Sequence, residues 1–252
     1  MTKQMLIYET AIPVSSARHG DASFDPSNHY AFTATINAVP LTAVEFQHAA
    51  AEFAIVFAQV GSDVMPAAVL GVRGEQNLYL TDDARWRAKY VPAFIRRYPF
   101  VFSSSEDQQT LTLCIDETHP GFNREGRGQR LFGDDGKPSA YVEQVMKFLQ
   151  EYQAHFERTR LFGKHLKEFN LLEPMQATVT TPTGVTQSLG GFLGVQRDRL
   201  RTLGDEALRT LVQTDELELL YLHLHSMRNF NEMKDRFIGT LPVEANAAAP
   251  SS

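Results

Sequence analysis

Ile55-Val56-Phe57-Ala58-Gln59-Val60-Gly61-Ser62-Asp63-Val64-Met65-Pro66-Ala67-Ala68-Val69-Leu70-Gly71-Val72 reads as strand, turn, strand. Ile55-Val56-Phe57 is a short apolar run of the kind a buried strand uses. Gly61-Ser62-Asp63 supplies turn chemistry, and Ala67 to Val72 is a second apolar run. A third follows at Asn77-Leu78-Tyr79-Leu80. This spacing predicts an antiparallel meander.

Upstream, Thr42-Ala43-Val44-Glu45 has the form of a capping box, predicting a helix through Phe46 and the alanines to Phe53. Residues 30–36 alternate apolar and small polar side chains and predict a short strand, ended by Pro40. Downstream, residues 86–98 predict a short helix broken by Pro92. Phe100-Val101-Phe102 and residues 111–115 read as extended, the latter closing this half. Residues 117–137 carry Gly121, Gly126, Gly128, Gly133 and Gly136 and predict a long surface connection between lobes, in preference to a lid.

The back half opens at Pro138-Ser139. Val142, Val145, Met146, Leu149, Tyr152 and Phe156 recur at helical spacing, and a second helical stretch covers 159–169, ending near Asn170. Residues 178–181 and 186–195 look extended about a Thr183-Gly184 turn. Helices are predicted at 198–203, 205–214 and 217–227. The whole predicts an α+β protein with a strand-rich N-terminal half and a helix-rich C-terminal half. The expected organisation is an irregular arm at 1–29, an α+β lobe at 30–116, the Gly-rich connection at 117–137, a helix-rich lobe at 138–237 packed on the first, and a flexible small-residue tail at 238–252.

With 43% apolar and 21% charged residues, the 252-residue chain has ordinary globular composition and can bury a large core without staples. A net charge of −6 argues against a general nucleic-acid binder, which needs a concentrated basic surface. The densest basic run, Arg85 to Lys89 followed by Arg96-Arg97, reads as a solvated face. The single cysteine, Cys114, lies in an apolar strand context and reads as buried packing in a reducing compartment. The N-terminus lacks the apolar stretch of a secretory signal, and no segment approaches the ~18 apolar residues of a membrane span. The expectation is a soluble cytoplasmic protein.

No phosphate-binding loop, Gly-x-Ser-x-Gly elbow or His-Glu-x-x-His helix occurs. Gly190, Gly191 and Gly194 read as close backbone approach within a strand. His223 and His225, two apart on a helix, point about 200° from each other and do not share one metal. On a strand they would share a face, so a metal site is set against packed histidines, and packing is preferred. Asp116-Glu117-x-His119 puts two carboxylates and an imidazole at a strand end, where proton transfer is one reading and a solvated turn before Pro120-Gly121 the other.

The densest cluster of aromatics and guanidiniums is Tyr90-Val91-Pro92-Ala93-Phe94-Ile95-Arg96-Arg97-Tyr98-Pro99-Phe100. It suits recognition of a carboxylate, a phosphate or a partner peptide. It equally suits a core rim where arginine stems cover rings. The recognition surface is placed at Trp86, Tyr90, Arg96, Arg97 and Tyr98.

The front half carries Val39-Pro40-Leu41-x-x-x-Glu45-Phe46, Leu70-Gly71-Val72, Asn77-Leu78-Tyr79 and Trp86-x-x-x-Tyr90-Val91-Pro92-Ala93-Phe94-x-Arg96-Arg97-Tyr98-Pro99-Phe100. The back half adds Leu171-Leu172-Glu173-Pro174, Gly191-Phe192 and His223-x-x-Ser226-Met227-x-Asn229. In these motifs the chain resembles the bacterial SapC family across roughly residues 5–237. The resemblance implies an accessory protein tied to bacterial envelope or surface-layer (S-layer) systems, and it brings no catalytic residues. The leading expectation is a non-enzymatic binding protein with no cofactor and no metal, whose partner is a protein or peptide of an envelope or secretion pathway. Self-assembly into a homo-oligomer stays open. The alternative is a small-molecule enzyme using Asp116, His119 or His223 in acid–base or metal chemistry.

Overall fold

The computed structural model describes residues 6–26, 29–104, 110–180, 184 and 186–241. Most of the expected tail at 238–252 and the Thr183 half of the expected turn lie outside the described residues. The architecture is α+β, with antiparallel sheets whose strands fall mostly in the N-terminal half and helices mostly in the C-terminal half. The chain divides into two compact units built from alternating segments, residues 1–29 with 94–154 and residues 30–93 with 155–252.

In the first unit, Ala11–Pro13, Leu111–Asp116 and Phe100–Ser104 form a three-stranded antiparallel sheet in that order of strands: edge, centre, edge. A second small sheet places Ser23–Phe24 between Phe122–Asn123 and Gln129–Arg130. Phe24, Phe100, Ile115, Leu131, Val142 and Leu149 join one apolar core. Cys114 is buried in this unit, and burial raises its thiol pKa. The Gly-rich segment 117–137 falls within this unit and contributes two of the second sheet's short strands. Asn123 Oδ1 accepts from the Glu125 and Arg127 N–H groups, and its Nδ2 donates to the Ser23, Gly121 and Arg127 carbonyls. One buried amide thus closes a local turn.

The second unit contains a five-stranded antiparallel sheet, ordered Leu172–Thr180, Thr186–Val195, Ile55–Val60, Asp63–Val69, Ala38–Pro40. The expected hairpin is at its heart: Val60 pairs with Asp63 across Gly61-Ser62, and Gly61 has φ +63°, the left-handed value a two-residue hairpin turn needs at its first position. Phe46, Phe53, Phe57 and Phe162 are buried in this unit. Its helices include Arg197–Arg201, Asp205–Gln213, Glu216–Ser226 and Asn229–Gly239. The last was not expected from the sequence.

Several expected elements are corrected by local hydrogen bonding. Residues 30–36 contain a 3-10 turn at Ala31–Thr33 in place of a strand, because Thr33 Oγ1 turns back to the Tyr30 carbonyl at 2.8 Å. Asn77–Leu80 is a turn closed by Tyr79 N–H on Asn77 Oδ1 at 2.9 Å, and only Leu80 makes an isolated bridge, to Trp86. The helix expected to reach Phe53 stops at Ala49, and Asn229 Nδ2 takes up the Ala50 and Phe53 carbonyls at 2.9 and 2.8 Å. The helix expected over 86–98 is reduced to Ala93–Arg96. The two helical stretches either side of residue 158 are one helix, Ala140–Glu168: Thr159 bonds back to the His155 carbonyl at 2.6 Å and stays helical. Asn170, at φ +52°, ends it as the sequence predicted.

Candidate functional site

Trp86 and Tyr90 belong to the second unit, and Arg96, Arg97 and Tyr98 to the first. In the second unit the segment leading to Pro92 has few torsions left to itself. Two carboxylates pin it. Glu52 accepts from the Lys89 N–H at 2.7 Å and the Tyr90 N–H at 3.2 Å, and buried Glu45 accepts from the Tyr90 hydroxyl at 2.9 Å and the Ala93 N–H at 2.7 Å. The second oxygen of Glu45 holds the Thr42 N–H and hydroxyl, the reach-back that the capping pattern predicts. Trp86 donates its indole N–H to the Tyr90 carbonyl at 2.8 Å and packs against Tyr30, Phe53 and Tyr79. The Trp86 and Tyr90 side chains are half-buried, each with a face left at the surface.

In the first unit the paired arginines separate. Arg97 is 4% exposed, its guanidinium 4.4 Å from the Phe94 ring centre, 4.8 Å from Tyr152 and 5.7 Å from Tyr8. Arg96 is exposed and lies 5.3 Å over Phe148. Neighbours in a helix point about 100° apart, so one arginine meets the core and the other the solvent. The core-rim reading therefore describes Arg97, while Arg96 keeps a charged head in water over an aromatic face. Arg97→Ala is expected to lower the stability of the first unit by roughly 2–3 kcal/mol, by emptying an aromatic cage, whereas Arg96→Ala should stay within about 0.5 kcal/mol. Urea melts of the two single variants check this.

Tyr98 is half-buried, follows the arginines and precedes a cis peptide to Pro99. Its hydroxyl is 3.5 Å from Asp116 Oδ2, and its ring lies 5.2 Å from His119 and 5.1 Å from Tyr8. Burial, reinforced by Asp116, pushes its pKa up to about 12. Asp116 itself is fully buried, which removes the solvated-turn reading. Oδ1 accepts from the Thr118 N–H at 3.1 Å and hydroxyl at 2.7 Å, and Oδ2 from the Glu9 N–H at 2.7 Å. His119 is buried, and its Nδ1 accepts from the Gly121 N–H at 2.8 Å; burial lowers its pKa. Glu117 turns the other way, bidentate to Arg18 at 2.7 Å and bonded to buried His19 Nε2 at 2.9 Å. The Arg18 guanidinium holds its carboxyl down to about 2.

His223 is in the second unit, on the buried face of the helix Glu216–Ser226. Its Nδ1–H donates to the Ile55 carbonyl at 2.8 Å, and its Nε2 accepts from the Val195 N–H at 3.0 Å. Both ring nitrogens are thus committed to backbone, and burial pushes the pKa down to about 4. On the same helix Ser226 Oγ accepts from the Ile55 N–H at 3.0 Å, and Asn229, opening the next helix, holds the two carbonyls named above. The spacing of three between His223 and Ser226 is the sign of one helix face. The Ala50, Phe53 and Ile55 backbone groups that this region meets lie about 170 residues earlier and are not readable from local pattern.

Asp116 and His119 lie in one unit and His223 in the other. Among the described residues, no group of three or more His, Cys, Asp or Glu side chains is placed to hold a metal ion, and no helix is long and apolar enough to cross a membrane.

By fold and by site, then, the chain is an α+β protein whose buried polar side chains fasten its own backbone. It belongs to the SapC family, whose sequence model matches residues 14–233. No curated protein and no solved structure matches the chain.

Proposed function

We propose that this SapC family member is a non-catalytic accessory protein of the bacterial cytoplasm that binds a protein or peptide partner of an envelope or surface-layer pathway. The observation that carries the reading is the exposed Arg96 guanidinium, 5.3 Å over the Phe148 ring. The Asp116 carboxylate and the His223 ring spend their polar atoms on the protein's own groups, and His119 is buried with Nδ1 on the Gly121 N–H. Arg96 presents its guanidinium at the surface over Phe148. An exposed arginine on an aromatic support is a geometry that recognises carboxylates and peptide carbonyls. The exposed edges of Trp86, Tyr90 and Tyr98 are the further contacts assigned to recognition, and Arg97 is assigned to holding Arg96 in place.

The test is affinity capture from bacterial lysate with tagged wild type, Arg96→Ala and Asp116→Asn. Capture of one specific partner by wild type and Asp116→Asn, with loss in Arg96→Ala, is the expected result. Equal capture by all three variants removes Arg96 from the site, and a partner lost only in Asp116→Asn moves recognition to the buried carboxylate.

A further inference from the structure

The helix Glu216–Ser226 has two faces with different work. Leu220, His223 and Ser226 are buried. Glu218, Tyr221, Leu222 and His225 follow one another at steps of three, one and three along the opposite side, the spacing of a single helix face. With Arg197 and Leu224 they line a groove of about 630 Å³, within the range of sites that hold small ligands. Tyr221 is 49% exposed, although a tyrosine ring is costly to leave in water.

The polar groups of this groove are uncommitted. Among the described residues, the Arg197 guanidinium, the Tyr221 hydroxyl and both ring nitrogens of His225 make no hydrogen bond or ion pair within the protein. Glu218 is oriented by Gln47, whose Nε2 donates to Oε1 at 3.1 Å, and its Oε2 remains available. The groove is therefore bipolar. Its carboxylate sits near the start of the helix, and His225 lies seven residues later, about 10 Å along the axis at 1.5 Å per residue. Between them the Leu222 and Tyr221 side chains offer an apolar floor.

We infer that this groove binds a short extended peptide carrying a carboxylate at one end, a cationic group at the other and an apolar side chain between. A span of about 10 Å is three residues of extended chain at ~3.3 Å each. Arg197 and His225 receive the carboxylate, in the manner of charge-assisted pairing. Glu218 receives the cationic group, and Leu222 with Tyr221 receives the apolar side chain. This surface is independent of Arg96 and adds a second point of peptide recognition.

Calorimetric titration of the full chain tests it, with acetyl-Lys-Leu-Leu bearing a free carboxylate, the same peptide amidated, and acetyl-Lys-Leu-Glu-amide as probes. Saturable binding is expected for acetyl-Lys-Leu-Leu, weakened about tenfold or more by Arg197→Ala and by Glu218→Gln and unchanged by Arg209→Ala, an exposed cation outside the groove. All three replaced side chains are at the surface, and matching thermal melts confirm that folding is intact. Retained binding of the Glu-amide probe supports the same site with a side-chain carboxylate as the source. Binding of amidated Lys-Leu-Leu as tight as the free acid, or affinity unmoved by both groove variants, overturns the inference. So does the absence of heat with every probe.

Discussion

Gly163→Ala is expected to destabilise the second unit by about 3–5 kcal/mol, a large share of the stability a domain of this size possesses. Gly163 lies inside the helix Ala140–Glu168, where glycine costs up to about 1 kcal/mol relative to alanine and so has no propensity reason to be present. Its reason is contact. A Cβ at this position would stand 2.0 Å from the Val64 carbonyl oxygen and 3.1 Å from its carbon. Val64 is in the strand Asp63–Val69, so the obstacle is sheet backbone, which cannot rotate aside as a long side chain can. Gly239 provides the control. It is also helical, has no atom within 4 Å of the corresponding position, and Gly239→Ala is expected to be neutral or slightly stabilising. Thermal melts followed by circular dichroism should show a drop of roughly 10 °C for the first variant and almost none for the second. Equal melting of the two would mean that helix and hairpin do not approach as described.

His223→Ala is expected to cost roughly 3–5 kcal/mol at neutral pH. It strands two buried backbone groups, the Ile55 carbonyl and the Val195 N–H, at about 1–3 kcal/mol each. It also empties the volume beside the Phe57 ring, whose centre is 5.0 Å from the imidazole. The effect carries a definite pH signature. The folded pKa is about 4, below the ~6.5 of an unfolded histidine. Between these values the unfolded chain binds a proton that the folded chain refuses, so this contribution is full above about pH 6.5 and is lost as pH falls toward 4. On the order of 3 kcal/mol is involved. The stability gap between wild type and His223→Ala should therefore be widest above pH 6.5 and narrow toward pH 4. Urea melts at pH 7.5 and 4.5 measure it, and a gap that widens in acid would contradict a neutral buried imidazole.

Much of the fold is legible in the sequence because its signals are local. The hairpin 55–69 announces itself by two apolar runs about a glycine, and the helix near 140–156 by its three- and four-residue recurrence. Two of the misreadings share one cause. Thr33 and Asn77 each hydrogen-bond to nearby backbone and so override what apolar alternation suggests. The interleaving of segments into two units depends on contacts far apart in sequence, such as Tyr8 hydroxyl on the Phe100 carbonyl at 2.7 Å, and no local pattern encodes these.

The candidate site divides in the same way. That residues 86–98 concentrate aromatics and guanidiniums is plain from the sequence. Which arginine of the adjacent pair faces inward depends on Tyr8 and Tyr152, residues distant in the chain that complete the cage around Arg97. Asp116 and His119 were correctly noticed as unusual neighbours, yet the donors they meet, Glu9 N–H among them, come from the N-terminal arm. The capping carboxylate Glu45 was read only as a helix signal. Its Oε1, which accepts from the Tyr90 hydroxyl and the Ala93 N–H, is what shapes the segment leading to Pro92.

The most direct test of the binding account is a hydrogen-exchange footprint of the chain with and without its captured partner. The account predicts new protection over the segment containing Ala93–Arg96 and around Phe148, with exchange at Leu111–Asp116 unchanged because that strand is already paired on both sides. Protection absent from the Arg96 surface, or a change confined to Asp116 and His119, would contradict it.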